Sequence, residues 1–563
     1  MNNLKKINFT NFYLILLLIT PFILQKIFSD NLTATNLLIV FLFLALSFLF
    51  LNNKSENFNE NFNEKIVIPF LLLILLILTF ITQNYYLNYE TIDWDISSYL
   101  VASSEVGRGY IPNETQWESK GPLFLYLYYF FSKIVNNNYI LFKFLNDIIL
   151  FSLVLILFFS TYLKTKKIII SFVSGIFLIL LFSQPWAISA YSELYSLIFI
   201  GISFLIFENT KKSKKKYFLI GFLISLSTLI NQGTVIFLLP YVIVIFQKKL
   251  RNNVYKISSL FLGFIIPHLF FLSIYFVNNL LDIYFATYYE IPLGYTESNF
   301  ANLYELKVFY RKFYEFNYYL YLSIALVTLF YLKRLIEEGK LKNLISFLNL
   351  NLIAGLAFYF LADHNYYHHL FFLLFFLCHL FKKIKNRNEI ILVSFFIFIS
   401  VGFSINEMYK VSFYNLSNYQ EVYNDYPLNN LSKTIDSYFD SDYEILALDY
   451  LIILEYLDKP NYSYIVHPSN HFEEFIVEIL TDLNRLEPNH ISFMLDSQPE
   501  VIICNPKMII RGEPTKIDYY NCEVDDYFKN YKEIDTSSYE KDRNLNYYYD
   551  PYKKIKVFIK QNE

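Results

Sequence analysis

The sequence predicts a polytopic α-helical membrane protein that ends in an α/β region. Of the 563 residues, 55% are hydrophobic and 17% are charged, which is too little charge to cover a soluble protein of this length. Apolar runs of membrane-spanning length recur along most of the chain, and charged sequence returns only from about residue 409. The formal net charge of −3 indicates no particular partner, because its sign varies by region. We expect a lipid bilayer around the chain and no nucleic-acid partner.

Thirteen apolar runs have roughly the length that a transmembrane helix requires, and they predict thirteen spans. The least regular stretch is 217–246, which Asn231-Gln232-Gly233 divides. Basic clusters flank this stretch on both sides, so the chain must cross an even number of times, which predicts two short helices. The predicted spans are 10–28, 33–51, 66–82, 139–163, 168–185, 187–207, 217–231, 233–246, 257–276, 318–332, 343–361, 367–381 and 389–407.

Lysine and arginine in the short loops predict the orientation of the chain. Basic residues recur in alternate loops, all on the side of the N-terminus if the thirteen spans are right. Because basic loops remain cytoplasmic, that side is predicted to face the cytoplasm. The loops 83–138 and 277–317 then face outward, and an odd span count places the C-terminal region outside. We therefore expect a multi-pass protein of the cytoplasmic (inner) membrane, with a transmembrane domain at 1–408 and an extracytoplasmic domain at 409–563.

From about residue 409, short β-favouring runs alternate with amphipathic stretches, which is typical of a compact α/β domain. The predicted elements are strands at 444–448, 463–466 and 501–504 and a helix at 473–485. This pattern favours a structural or acceptor-positioning role over an independent catalytic domain. Cys504 and Cys522 could form a disulfide or remain two free thiols, and the number of cysteines does not decide between these alternatives.

The first predicted outer loop, 83–138, carries a dense group of polar side chains. From Asp93 it reads DWDISSYLVASSEVGRGYIPNETQWESKGPL. Ionisable groups beside a membrane face are costly unless they are solvated or paired, so each requires a reason. Taken alone, Asp93 and Asp95 are explained as solvated carboxylates that cap a helix beginning near Ile96. The turn and the lysine that follow favour a functional site instead.

The order of these motifs resembles the first outer loop of the GT-C glycosyltransferases, in the group that contains protein O-mannosyltransferases and the lipid A aminoarabinose transferase. The pattern is W-D-x-x-x-Y, then G-x-x-P, then K-G-P-L before an aromatic-rich helix. Family members have Asp-Glu at the loop start and Lys-Pro-Pro-Leu at its end, whereas this chain has Asp95-Ile96 and Lys120-Gly121-Pro122. The layout of spans and the outer C-terminal domain are similar as well, so the resemblance implies a GT-C fold.

The resemblance implies that a sugar moves, with inversion, from a polyprenyl-phosphate carrier to a lipid, glycan or protein acceptor at the outer face. An acceptor hydroxyl needs a carboxylate that takes or orients its proton, and Asp95 is the predicted general base. The growing charge on the departing lipid phosphate must meet a fixed cation, and Lys120 suits this role as a compact ammonium donor. Arg108 is a second candidate for binding the phosphate, with a plain surface-loop position as the alternative.

Two further acidic residues are candidates for a second carboxylate of the site. Asp93 precedes Asp95 in the same loop, and Glu193 lies near the outer end of a predicted span. Family members often have an acidic residue at the second of these positions, facing the site. A buried, hydrogen-bonded structural role is the alternative for Glu193.

The segment 363–369 resembles a family segment in which a histidine contacts the donor phosphate. Both His368 and His369 are candidates for this contact. His364 and His368 are four residues apart, so a helix would bring them together as metal ligands. A third ligand is not evident, so no metal ligand is assigned. The sequence leaves open whether the protein binds a divalent metal ion, and we expect no other cofactor.

Two other classes of protein compete with this interpretation. A polysaccharide ligase or polymerase usually has a large central outer loop rich in arginine, and the main loops here contain few arginines. A transporter would repeat broken helices in two halves, whereas Asn231-Gln232-Gly233 is a break with no matching partner. The sequence identifies neither the sugar nor the acceptor.

Overall fold

The computed structural model of the protein describes residues 64–90, 94–183, 187, 190–210, 213–247, 253–298, 318–337, 345–361, 366–384, 386–506, 508–513, 516–520, 526–540 and 554–561. The predicted spans 10–28 and 33–51, together with Asp93 and His364, lie outside these residues. The helices of the N-terminal part are α1 (Glu64–Asn84), α2 (Trp94–Ser104), α3 (Pro122–Ile134), α4 (Tyr139–Thr165), α5 (Ile168–Leu181), α6 (Ser192–Asn209), α7 (Lys214–Thr228), α8 (Leu238–Phe246), α9 (Val254–Val277), α10 (Leu281–Phe285), α11 (Ile291–Ser298), α12 (Tyr318–Glu337), α13 (Phe347–Leu361), α14 (Phe371–Cys378) and α15 (Arg387–Ser417). Single 3₁₀ or π turns join several of them, at Glu105–Arg108, Gln232–Phe237, Ala286–Glu290, Tyr367–Leu370 and His379–Lys383.

The centre of each predicted span from 66–82 onward lies in helical chain. Within the part of the chain that the structure describes, four helices, α1, α4, α6 and α9, have the length and apolar composition needed to cross a membrane. Shorter apolar helices cover Ile168–Leu181, Gln232–Phe246, Phe347–Leu361 and Asn388–Gly402. The break predicted at Asn231 is confirmed, since α7 ends before it and a 3₁₀ turn leads from Gln232 into α8. The total of thirteen spans stays a prediction.

Two glycines allow the helices α7 and α9 to pack with their backbones in contact. A Cβ atom at Gly221 would lie 1.9 Å from the Leu260 carbonyl oxygen, and one at Gly263 would lie 2.0 Å from the Phe218 carbonyl oxygen. Small residues permit this approach where apolar helices meet, and dispersion contacts between the backbones then stabilise the pair. The helix α7, which ends just before the break at Asn231, is therefore packed closely against α9.

The C-terminal part combines short helices with a four-stranded sheet of order β1-β2-β6-β5. Strands β1 and β2 are parallel, with Ile445 opposite Val501, and β6 pairs antiparallel with β2 and β5. Strands β3 and β4 form a separate antiparallel hairpin. The elements are α16 (Tyr419–Asn424), α17 (Pro427–Asp436), β1 (Ile445–Ala447), α18 (Ile452–Leu457), α19 (Glu474–Asp482), α20 (His490–Asp496), β2 (Val501–Cys504), β3 (Met508–Glu513), β4 (Lys516–Tyr520), β5 (Tyr531–Glu533), α21 (Ser537–Glu540) and β6 (Lys556–Lys560).

The strand predicted at 463–466 is wrong as a member of this sheet. Its extended backbone pairs instead with the outer loop, where Ile465 forms a bridge with Trp117. The Trp117 N–H donates to the Tyr464 carbonyl at 2.6 Å, and the Val466 N–H donates to the Trp117 carbonyl at 3.2 Å. The buried Trp117 indole also donates to the Thr287 hydroxyl at 2.9 Å. The β-favouring residues at 463–466 therefore hold the outer loop against the C-terminal part.

The N- and C-terminal parts share one apolar core. Buried residues of α4 and of α17, such as Leu150 and Leu431, belong to the same cluster, and α15 continues through residue 408 without a break. The division into domains at 408 stays a prediction. Cys504 is disulfide-bonded, Cys378 is a free and buried thiol, and Cys522 lies outside the described residues.

Candidate active site

Asp95 lies in the first turn of α2. The side chains of Trp94 and Asp95 both contact residues of the C-terminal part. The indole N–H of Trp94 donates to Asp449 Oδ1 at 2.8 Å, which ties the start of α2 to the segment after β1. Asp95 Oδ1 lies 3.0 Å from Nε2 of His467. The Asp95 side chain is 23% exposed, so that a second molecule can reach its carboxylate. This environment favours an ionised carboxylate that is still partly accessible.

The partner of Asp95, His467, comes from the C-terminal part and was missed by sequence reasoning. Its Nδ1 lies 3.0 Å from the Ser469 hydroxyl, and its ring stands perpendicular to that of Trp94 at a centroid distance of 6.0 Å. These contacts orient the imidazole so that Nε2 meets the carboxylate. Because 372 residues separate His467 from Asp95 in the chain, no local pattern could pair them. The available signal was a histidine directly before Pro468, after the β-favouring run 463–466.

Burial alone would raise the pKa of Asp95, but nearby positive charge reverses the shift. The hydrogen bond and charge of His467, followed by the charges of Lys120 and His368, hold the pKa of Asp95 below its usual value of 3.8. The carboxylate is therefore ionised at neutral pH. Since the pKa is lower in the fold than in the unfolded chain, this pairing stabilises the fold above about pH 4 and is lost as pH falls through the lowered pKa.

We expect His467→Gln to raise the pKa of Asp95, because glutamine keeps a hydrogen-bond donor but removes the cation. The acid limb of the pH profile of kcat/KM should then move to higher pH, while activity near neutral pH is less affected. His490→Gln, which removes a histidine elsewhere in the C-terminal part, is the matched control. An unchanged acid limb in His467→Gln would contradict the assigned electrostatic coupling.

Lys120 lies at the end of the outer loop, next to the start of α2. Its ammonium group is 5.7 Å from the centroid of the Tyr99 ring in α2, and its charge lowers the pKa of Asp95. The backbone after it is fixed to the helix break, since the Gly121 N–H donates to the Ile230 carbonyl at 3.2 Å. The Leu123 N–H donates to the neighbouring carbonyl of the same break at 3.1 Å. The structure therefore brings together Asp95 and Lys120, as the sequence predicts.

Gly121 explains why this chain departs from the Lys-Pro-Pro-Leu pattern. Its backbone N–H is a donor, which proline lacks, and a Cβ atom there would lie 2.2 Å from the Leu229 carbonyl oxygen. We expect Gly121→Ala to lower the free energy of unfolding by about 1–3 kcal/mol and to displace Lys120, because a backbone atom cannot move aside easily. Thermal unfolding in detergent measures the first effect, and transfer activity measures the second.

The matched control for Gly121→Ala is Gly201→Ala in α6. A Cβ atom at Gly201 would meet only side-chain atoms, at 3.1 Å from Ile156 and 3.2 Å from Phe375. Side chains can adjust by a few tenths of an ångström, so the control should lose less stability. Equal stability of wild type and Gly121→Ala would mean that the loop end is not held as tightly as its contacts indicate.

Glu193, His368 and His369 form a second group of ionisable side chains near Asp95 and Lys120. Glu193 begins α6 and accepts hydrogen bonds from the Asn231 amide at 2.9 Å and the Ser192 hydroxyl at 3.2 Å. His368 lies in the 3₁₀ turn before α14 and acts electrostatically on Asp95. One ligand atom from each of Glu193, His368 and His369 lies within 4.8 Å of the other two. This group differs from the pair His364 and His368 considered from the sequence, since it contains Glu193 and His369, and His364 lies outside the described residues.

Glu118 is a second carboxylate beside Asp95 that sequence reasoning missed. It is 1% exposed, and its Oε1 accepts hydrogen bonds from the backbone and hydroxyl of Ser119 at 2.8 and 3.0 Å. Its Oε2 has no hydrogen-bond partner among the residues that the structure describes. Burial raises the pKa of Glu118, against the opposing charges of His467 and Lys120. As one acidic residue of a polar loop, Glu118 carried no distinguishing local signal.

Arg108 points away from this cluster. In the 3₁₀ turn after α2, its guanidinium donates to the Ser104 hydroxyl at 2.8 Å and lies 3.9 Å from the Asp458 carboxylate. Both contacts belong to a partly exposed surface between α2 and the C-terminal part. The geometry matches the surface-loop alternative, and contact with a donor phosphate stays a prediction. Asp93, the other proposed carboxylate of this loop, is outside the described chain.

The fold that carries this cluster is similar to that of two solved structures, and four of the described helices are long and apolar enough to cross a membrane. The solved structures that carry this likeness are those of ArnT from Cupriavidus metallidurans. The apo form matches with a TM-score of 0.54 and 9% identity over 78% of this chain and 93% of ArnT. The form bound to undecaprenyl phosphate matches with a TM-score of 0.53 and 8% identity over 80% of this chain and 97% of ArnT. No protein-family profile and no curated protein matches the sequence.

Proposed function

We propose that this protein is a membrane glycosyltransferase that moves a sugar, with inversion, from a polyprenyl-phosphate carrier to a lipid, glycan or protein acceptor. The observation that carries the proposal is the meeting of Asp95 and Lys120, a carboxylate and an ammonium group, in one site of a GT-C fold. The carboxylate can accept the proton of the acceptor hydroxyl, and the fixed cation can stabilise the negative charge on the departing phosphate. The two charges that this reaction requires are therefore available together.

Asp95 acts on the acceptor. Its ionised carboxylate accepts the proton of the acceptor hydroxyl, while the hydrogen bond at 3.0 Å from His467 keeps the other edge of the group in place. Because its pKa is low, Asp95 is a weak base that orients the hydroxyl first and takes the proton late, as the new bond to the anomeric carbon forms. The C-terminal part thus positions the acceptor side of the site through His467.

Lys120 acts on the donor. As the bond between the sugar and the lipid phosphate breaks, negative charge grows on the phosphate oxygens, and a preorganised ammonium group stabilises this charge without reorganisation. His368 and His369 lie on the same side and provide further donors toward the phosphate. Attack by the hydroxyl on the face opposite to the phosphate gives inversion at the anomeric carbon.

The proposed location is the outer face of the cytoplasmic membrane, with the N-terminus inside. The recurrent basic loops support this orientation. The carrier class is supported by the similar fold of an ArnT structure that contains undecaprenyl phosphate. A carrier with a long polyprenyl chain can reach the site from the bilayer, since exposed apolar side chains cover much of helices such as α9.

The test is to incubate the purified protein with a panel of polyprenyl-phosphate sugars and cell-envelope acceptors. We expect release of the free lipid phosphate together with a covalent sugar product for one member of the panel. Uptake of a substrate into vesicles without any covalent product would favour a transporter instead. A donor linked through a diphosphate as the active substrate would favour a polysaccharide ligase or polymerase.

A further inference from the structure

We propose that Glu193, His368 and His369 bind a divalent transition-metal ion, with Zn²⁺ as the first candidate. One ligand atom of each residue lies within 4.8 Å of the others, so small side-chain rotations bring them around one ion. Two imidazoles and one carboxylate form a set that zinc sites use with an open fourth position. Mg²⁺ and Ca²⁺ prefer oxygen ligands, so two histidines disfavour them.

The surroundings of Glu193 are those of a metal-binding carboxylate. Glu193 and His368 are 1% and 6% exposed, so their polar groups are shielded from water. The hydrogen-bond donors to Glu193 are the neutral side chains of Asn231 and Ser192, which orient the carboxylate without neutralising it. A charged carboxylate is costly to bury, and a bound cation beside it lowers this cost. Hydrogen bonds of this kind orient the ligands in metal sites.

The histidines are also held in place before any ion binds. The His368 ring stacks on Tyr191 at a centroid distance of 4.2 Å and an interplanar angle of 13°, and on Tyr366 at 5.5 Å. The His368 and His369 rings lie at 77° to one another with centroids 4.4 Å apart. Stacking fixes the ring planes, which lowers the entropy lost when both rings bind one ion. Three different elements, α6, the helix break and the 3₁₀ turn, thus meet at this point.

The metal would also extend the donor side of the active site. His368 and Asp95 interact electrostatically, so the proposed ligands lie near the predicted general base. With three protein ligands, an ion at this site would have a coordination position left for a phosphate oxygen of the carrier. This catalytic contribution depends on the proposed function, whereas metal binding itself does not.

The test measures metal content and metal affinity in full-length protein that carries no polyhistidine tag. The protein is washed with a chelator, reloaded with ZnCl₂, dialysed, and analysed for zinc by mass spectrometry. We expect one zinc ion per chain in the wild type and loss of that ion in Glu193→Gln. Partly exposed His369 provides a second variant, His369→Gln, which should lose zinc with little risk to folding. Asn231→Ala should bind zinc about 10–100-fold more weakly, as changes around metal ligands do.

Three controls separate this site from its surroundings. Asp95→Asn should retain zinc, so loss of transfer in a zinc-loaded protein would count against the proposed function and not against the site. His490→Gln should also retain zinc, although His490 lies 3.1 Å from His471 in another histidine pair. Co²⁺ in place of Zn²⁺ should show visible d–d absorption that His369→Gln alters. Equal zinc content in wild type, Glu193→Gln and His369→Gln would overturn the proposal.

Discussion

Asp95→Asn is expected to reduce sugar transfer by about 10²–10⁴-fold, the range in which general acid–base groups contribute. The amide has nearly the shape of the carboxylate, but it cannot accept the proton of the acceptor hydroxyl. It also gives up the charge that pairs with His467 at 3.0 Å. The loss should appear in kcat at saturating donor, because the proposed mechanism assigns Asp95 to the acceptor and Lys120 to the carrier phosphate. Single-turnover measurements with the donor identified by the substrate panel give the size of the effect.

The control for Asp95→Asn is a carboxylate that lies outside the site. Asp458 is 75% exposed on its side chain and lies 3.9 Å from Arg108. Exposed ion pairs contribute little to stability, so Asp458→Asn should transfer sugar as the wild type does. Membrane insertion of both variants and thermal unfolding of Asp458→Asn should remain close to wild type, whereas Asp95→Asn loses the stability that its pair with His467 contributes. Wild-type turnover in Asp95→Asn would remove this residue from the mechanism.

Lys120→Met is expected to reduce kcat by about 10²–10³-fold, as the loss of one preorganised donor to a developing anion does. Methionine keeps the length of the side chain while removing the charge that faces the departing phosphate. If Lys120 also binds the ground-state phosphate, KM for the donor rises in addition. Kinetics with increasing polyprenyl-phosphate sugar separate these two contributions.

Lys133 provides the matched control for Lys120. Both ammonium groups lie over a tyrosine ring, with centroid distances of 5.6 Å for Lys133 and 5.7 Å for Lys120. Lys133→Met, at the far end of α3, should therefore leave transfer unchanged. Lys120→Arg should recover part of the activity, because charge is restored but the planar guanidinium differs in shape. Unchanged donor kinetics in Lys120→Met would contradict a role in binding phosphate.

Much of the fold follows from local patterns in the sequence. Apolar runs of this length predict helices because a helix satisfies all backbone N–H and C=O groups of a membrane segment within that segment. The break at Asn231 follows from three polar or flexible residues between apolar runs, and the strands at β1 and β2 follow from β-branched residues. The strand predicted at 463–466 was wrong as a sheet member, because its partner, Trp117, lies in the distant outer loop. Local β-propensity predicts an extended backbone, but it does not predict which distant segment will pair with it.

The sequence by itself determined the apolar helices, the break at Asn231, and the presence of Asp95 and Lys120 in one polar loop, from which their roles were predicted. Only the tertiary structure decided that His467 pairs with Asp95, that Glu118 is buried beside them, and that Glu193 meets His368 and His369. The physical reason is that helices depend on hydrogen bonds and apolar periodicity within a few residues. A site depends on charged groups that distant segments of the chain bring together. The order of residues in the chain does not give the distance between such groups in space.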